Sequence, residues 1–133
     1  MSSPLAKKLQ IKPGHRVAVV NVPDGYMSLI EPLPDGATLV PAAEADGACD
    51  AVLLFARSVA DLEAHAPLAL SAVRYDGLLW GAYPKKTADV KTDINRDHGW
   101  DAFNKAGIRP VTQIAIDETW SALRWRPLDK VGK

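Results

Sequence analysis

The sequence predicts an α/β domain with three layers: a mostly parallel sheet covered by helices on both faces and closed by a C-terminal antiparallel hairpin. Three observations carry this expectation. Val17–Val20, Ala51–Ala56 and Gly77–Tyr83 are continuous apolar runs, not alternating ones, the pattern of strands buried on both faces. Helix-like segments separate them, so the strands are expected to run parallel through right-handed crossovers. The chain then ends in Val111–Ile116 and Ser121–Arg126, two strand-like stretches joined by a tight turn at Asp117–Trp120.

Taken in order, Ser3 and Pro4 suit the cap and first position of an N-terminal helix within residues 1–12, stopped at Lys12, Pro13 and Gly14. After Val17–Val20, the segment from Asn21 to Tyr26 is turn chemistry, with Pro23 and Gly25 as punctuation. Met27–Leu33 has room for one or two helical turns, and Ala37–Val40 for a short strand. Ser58 followed by Asp61 resembles a capping box. It opens a helix in which Val59, Leu62, Ala66, Ala69 and Val73 recur at helical spacing, and Pro67 is expected to kink or split that helix. Asp97 is expected to cap another helix, with Trp100 and Phe103 on its apolar stripe and Gly107 at its stop. In the last strand Leu123 and Trp125 alternate with Arg124 and Arg126, which predicts one wetter face. Residues 128–133 are expected to fray. The parallel core should have the order 2-1-3-4.

The chain's 133 residues suit a single domain, and 47% apolar residues suffice for a core without staples. Lys plus Arg balance Asp plus Glu at 16 each, which argues against a nucleic-acid binder without excluding a local anion site. Cys49 is the sole cysteine, so neither an intrachain disulfide nor a thiolate zinc cluster can form. The first residues carry no apolar core of signal-peptide type, and no apolar run approaches the ~20 residues of a membrane span. The expectation is a cytoplasmic protein with no membrane association.

In open α/β sheets, ligands bind beyond the carboxyl ends of the strands. Asn21, Tyr26, Arg57, Tyr83, Lys85 and Lys86 each follow or end a predicted parallel strand, and Asp117 and Trp120 occupy the closing turn of the same edge. Lys91 and Arg96 lie in the polar segment that follows Pro84. Lysines as point charges, an Arg fork and a helix start at Asp97 would together clamp a small anion: a phosphate ester, a nucleotide or a carboxylate. The alternative is a solvated loop whose Lys and Asp residues pair with one another. Trp120 is either a platform for a flat ligand or packing across the hairpin. Asn21 to Tyr26 is either a ligand loop or a turn needed only for folding, and Arg57 either faces the crevice or snorkels out of it. No metal is expected, since Asp93, Asp97 and His98 lack a partner at ligand spacing. Gly81–Thr87 does not complete a P-loop. There is no G-x-S-x-G, and Cys49 stands beside Asp50, which raises a thiol's pKa. No cofactor is assigned by these residues.

The layout as a whole resembles a pared-down Rossmann-like methyltransferase. Asp50–Arg57, a helix, and then Asp76–Tyr83 look like the second half of that fold, and the reversed final hairpin resembles its ending. One strand–helix unit of that fold is missing. The loop after the first strand reads Asn-Val-Pro-Asp-Gly-Tyr over residues 21–26 where the methyltransferase pattern has G-x-G-x-G, and Ala37–Val40 runs into Pro41 with no terminal acid. The strings Gly77–Lys86, Lys91–Trp100 and Asp117–Pro127 are similar to a family of small bacterial proteins of unknown function, which implies a stand-alone domain and no assigned activity. Three functions follow in order: a small-anion-binding module, a minimal or degenerate methyltransferase-like enzyme, and a protein-interaction or structural domain.

Overall fold

The computed structural model of the chain describes residues 3–85 and 92–130. Its six strands are β1 (Arg16–Val20), β2 (Thr38–Leu39), β3 (Cys49–Phe55), β4 (Val73–Pro84), β5 (Ile108–Ala115) and β6 (Trp120–Pro127). They form one sheet in the order β2-β1-β3-β4-β6-β5. The first four are parallel, with Val17–Val20 beside Ala51–Leu54 and Ala51–Phe55 beside Leu78–Ala82. The closing antiparallel hairpin is present as expected, with β6 lying between β4 and β5.

Helices α1 (Pro4–Lys8) and α2 (Met27–Ile30) cover one face, α3 (Val59–Ala72) and α4 (Asp101–Asn104) the other. Ser3 caps α1: its hydroxyl accepts from the Ala6 N–H at 3.0 Å and donates to the Ile30 carbonyl at 2.6 Å, tying both helices of that face together. Trp80, buried in mid-strand, donates its indole N–H to the Leu9 carbonyl and so anchors the same layer. Leu54 and Leu79 are buried in the opposite layer, under α3. Ser58 accepts from the Asp61 N–H and opens α3.

Two expectations change. α3 runs from Val59 to Ala72 through Pro67 without a break. Pro67 lies on the solvent side, where the Glu63 carbonyl it leaves without a helical donor can turn to water. The second change is at Asp97, which caps no helix. Residues 95–98 form a tight turn in which Asn95 and His98 exchange backbone hydrogen bonds, and the Asn95 side chain accepts from the Asp97 N–H at 2.9 Å. That local competition delays the helix to Asp101, with Trp100 at its cap position. Phe103 still faces the core, stacked on Trp100 with ring centroids 5.7 Å apart. Leu128–Lys130 form a 3-10 turn, and the rest of the tail lies outside the described residues.

Candidate functional site

The carboxyl edge of the sheet brings the sequence-predicted residues into three separate groups. In the first, Asn21 leaves β1 in a left-handed conformation (φ +59°), which an Asn tolerates. Its side-chain amide donates to the Phe55 carbonyl at 2.9 Å and reaches Asp61 at 3.4 Å. Arg57 lies 3.6 Å from the same Asp61 carboxylate, with most of its side chain in solvent. These groups satisfy one another.

The second group is a plug. Tyr26 sits edge-on to Phe55 and Trp120, which are themselves edge-on at 5.2 Å. Phe55 and Trp120 are buried, so Trp120 is packing and offers no open face to a ligand. The Tyr26 hydroxyl donates to Asp117 at 2.6 Å, and the other Asp117 oxygen accepts from the Thr119 and Trp120 N–H groups. Burial raises the Tyr26 pKa to about 12, with help from the hydrogen bond and charge of Asp117. For Asp117 burial pushes upward, but the bonds from Tyr26 and the two backbone N–H groups, with the charge of Lys85, hold it below the usual carboxylate value. Asp117 is thus the hub of the hairpin turn.

The third group is open. A cleft of about 650 Å³ lies beyond β4, between the 95–97 turn and the ends of β5 and β6. Tyr83, Lys85, Arg96, Gln113 and Ser121 line it, with Asp97 at its side. Tyr83 lies at the end of β4 and Lys85 just beyond it, and both line the cleft. Tyr83 is buried, its oxygen accepts from the Gln113 side chain at 3.0 Å, and its pKa is raised by burial and by Asp97 against the opposing pull of Ser121 and Arg96. The turn that carries Arg96 is pinned from below. Ile94 is fully buried, and the Trp100 indole donates to the Asn95 carbonyl at 2.7 Å. Trp100 packs closely on β4 because position 81 is glycine; a Cβ there would stand 2.6 Å from the indole. Asp93 accepts from the Val59 N–H at 2.8 Å, fastening the same segment to the start of α3. Among the described residues neither Lys85 nor Arg96 has an ion-pair partner.

Tyr83, Lys85 and Arg96 are therefore brought together, while Asn21, Tyr26, Arg57, Asp117 and Trp120 are not part of that cleft. Lys86 and Lys91 lie outside the described residues. The oriented N–H groups expected at Asp97 are absent from the cleft, because the helix starts four residues later. Gln113 and Ser121 are not among the ligand residues the sequence predicts, although Ser121 adjoins the closing turn. Their signal was the hairpin register, which sets Ser121 opposite Tyr83 and Gln113 opposite Leu123 on that same face.

No protein-family model matches the chain, and no curated protein matches it in sequence. Its fold does match solved structures. A possible exported protein from Bordetella parapertussis superposes with a TM-score of 0.60 at 14% identity, over 92% of this chain and 65% of that one. The chain thus spans just under two thirds of that neighbour. An S-adenosylmethionine-dependent methyltransferase from Aquifex aeolicus gives 0.58 at 11% identity, over 91% of this chain and 86% of that one. A 1,6-didemethyltoxoflavin-N1-methyltransferase from Burkholderia thailandensis, solved with bound 1,6-didemethyltoxoflavin and S-adenosylhomocysteine, gives 0.58 at 10% identity, covering 93% and 76%. The architecture is a Rossmann-like α/β fold, shared with these methyltransferase structures. No helix among the described residues is long and apolar enough to cross a membrane.

That fold implies S-adenosylmethionine at the carboxyl ends of β1 and β2, and the residues there do not fit it. Such sites need glycines where backbone meets cofactor and an acid for the ribose. The loop after β1 has one glycine, Gly25, and a Cβ added there would meet nothing within 4 Å. β2 ends at Leu39 before Val40 and Pro41, with no acid at that end. The Tyr26 ring packs beside Phe55 on the neighbouring strand.

Proposed function

We propose that the protein binds a small anionic ligand, such as a phosphate ester, a nucleotide or a carboxylate, in the cleft beyond β4. One observation carries this reading: Lys85 and Arg96 converge there on the buried Tyr83 without an ion-pair partner among the described residues. Lys supplies a point charge and Arg a planar fork able to hold two oxygens at once. Against these two cations Asp97 sets one carboxylate, so the described lining carries a surplus of one positive charge. Ser121 and Gln113 add neutral hydrogen-bonding groups. Sulfate or phosphate should raise the melting temperature beyond a chloride control of equal ionic strength, since a ligand that binds only the native state stabilises it. The rise should shrink in Lys85→Ala and in Arg96→Ala. No rise with any anion, in parent or variants, refutes the proposal.

The fold neighbours favour a second reading, a minimal methyltransferase-like enzyme. Titration with S-adenosylhomocysteine separates the two. Saturable binding supports the enzyme, and its absence beside an anion response leaves the binding module. We place the protein in the cytoplasm on the same footing, with Cys49 a lone buried thiol whose pKa is raised by burial and by Asp50.

A further inference from the structure

The cleft beyond β4 carries a donor and an acceptor that a bare anion would leave unused. Tyr83 lines the cleft and is only 4% exposed. The Gln113 side chain donates to the Tyr83 oxygen at 3.0 Å and fills one acceptor position there, while the Tyr83 proton has no acceptor among the described residues. Burial raises the pKa of this phenol, so the proton stays in place near neutral pH. A buried hydroxyl with a spare proton is destabilising unless water or a ligand oxygen takes it. Asp97 is the converse case. Its backbone N–H is bonded to the Asn95 side chain, but its carboxylate has no hydrogen bond or ion pair among the described residues. Beside an anion site, such a carboxylate repels a plain anion and favours a ligand that brings its own donor.

Hydroxyl groups meet that need better than an ammonium does, because Lys85 and Arg96 line the same cleft and repel a third cation. For the anionic end, a phosphoryl dianion matches both cations, where a carboxylate carries one charge. The volume of about 650 Å³ leaves room beyond a single oxyanion and lies in the range of small-molecule sites. A platform for a base is missing. The only aromatic side chain on the described lining is Tyr83, whose ring is buried and stands edge-on to Trp100 at 5.8 Å. Nucleobases gain their affinity by stacking on open ring faces. Resting on the anion-binding reading above, we infer that the occupant is a phosphorylated polyol of sugar-phosphate type, with its phosphoryl group at Lys85 and Arg96 and its hydroxyl groups at Asp97 and Tyr83.

Glycerol 3-phosphate and propyl phosphate are matched probes, with the same phosphoryl group and the same carbon chain, with and without hydroxyls. In calorimetric titrations of the full chain at constant ionic strength, glycerol 3-phosphate should bind about tenfold more tightly than propyl phosphate. Glycerate, O-phosphoethanolamine and adenosine 5′-monophosphate should each bind no more tightly than glycerol 3-phosphate. Asp97→Ala should tighten propyl phosphate, by removing the repulsion, and bring glycerol 3-phosphate to within about twofold of it. A residue that only supported the fold would weaken both on removal. Tyr83→Phe keeps the ring and should lower the same preference. Equal binding of glycerol 3-phosphate and propyl phosphate overturns the ligand class while the anion site stands, and so does tighter binding of any of the three comparators. A preference that survives both substitutions overturns the roles assigned to Asp97 and Tyr83. If none of the phosphates binds, the anion site itself falls, and this inference with it.

Discussion

The two halves of the carboxyl edge are built from the same kinds of residue and end differently. Beyond β1 and β3, every polar group singled out in the sequence finds an internal partner: Asn21 and Arg57 at Asp61, Tyr26 at Asp117. The aromatic rings of Tyr26, Phe55 and Trp120 close the remaining space. Beyond β4, two cations of similar sequence character stand over an open cleft. The difference lies in which acids the fold delivers. Asp61, on the first turn of α3, and Asp117, in the hairpin turn, both reach the first half, and among the described residues only Asp97 lines the second. A charged side chain at a strand end marks a site only when the fold leaves it without a counter-charge.

The contrast breaks most visibly in the closed half. Trp120→Ala should cost about 3–5 kcal/mol, the range for emptying a buried aromatic position. It should also lower the denaturation midpoint far more than any change in the open cleft. Leu54→Ala and Leu79→Ala, both in the other layer of the core, set the scale at about 2–5 kcal/mol. If Trp120→Ala proved nearly silent, the plug would be an empty description and the edge beyond β3 would be open to ligands.

Tyr26→Phe is a smaller and more diagnostic change. It keeps the ring and removes one hydrogen bond to a carboxylate, a loss of about 1–2 kcal/mol, toward the low end for a bond to a charged group in a half-buried setting. The pH dependence gives the sign. Asp117 lies below its ordinary value, so its contribution is fully present above that value and is lost as pH falls through the folded one. Tyr26 is raised from 10.0 to about 12, so its contribution is complete below the ordinary value and disappears as pH climbs through about 12. Urea midpoints followed from pH 6 down to 2 and from 9 up to 12 should fall at both ends in the parent. Tyr26→Phe should flatten both slopes. Unchanged slopes would show that the Tyr26–Asp117 contact carries no stability.

Much of the fold was legible in the chain, because buried parallel strands must be apolar on both faces. Val17–Val20, Ala51–Ala56 and Gly77–Tyr83 cannot easily be anything else. The errors fall where a side chain competes with backbone structure. Asn95 captured the Asp97 N–H and displaced a helix start that residue type alone assigned to Asp97. Val73 reads as the last apolar position of a helix, since nothing in the composition announces a bulge held by an Arg fifty positions beyond Asp76. Site residues were less legible than strands. Sequence places Lys85 at the carboxyl edge, but whether an acid among the described residues reaches it depends on where Asp61 and Asp117 come to rest in three dimensions.

The smallest expected effect on stability is also the one that tests the open half. Arg96 sits on the exposed 95–98 turn, and that turn is held by Ile94, by the Asn95 side chain and by Trp100, not by the guanidinium. Arg96→Ala should therefore leave the urea midpoint of the anion-free protein within about 0.5 kcal/mol of the parent, as is usual for surface positions away from special features. Lys85→Ala should cost slightly more, because its charge also favours the Asp117 carboxylate across the edge. The comparison sharpens if Arg96→Ala is silent in chloride and loses the response to phosphate. It breaks if Arg96→Ala destabilises the protein as strongly as Tyr26→Phe in anion-free buffer. Arg96 would then be a structural cation like Arg57 or Arg126, with its partner inside the fold, and the two halves of the edge would no longer differ in kind.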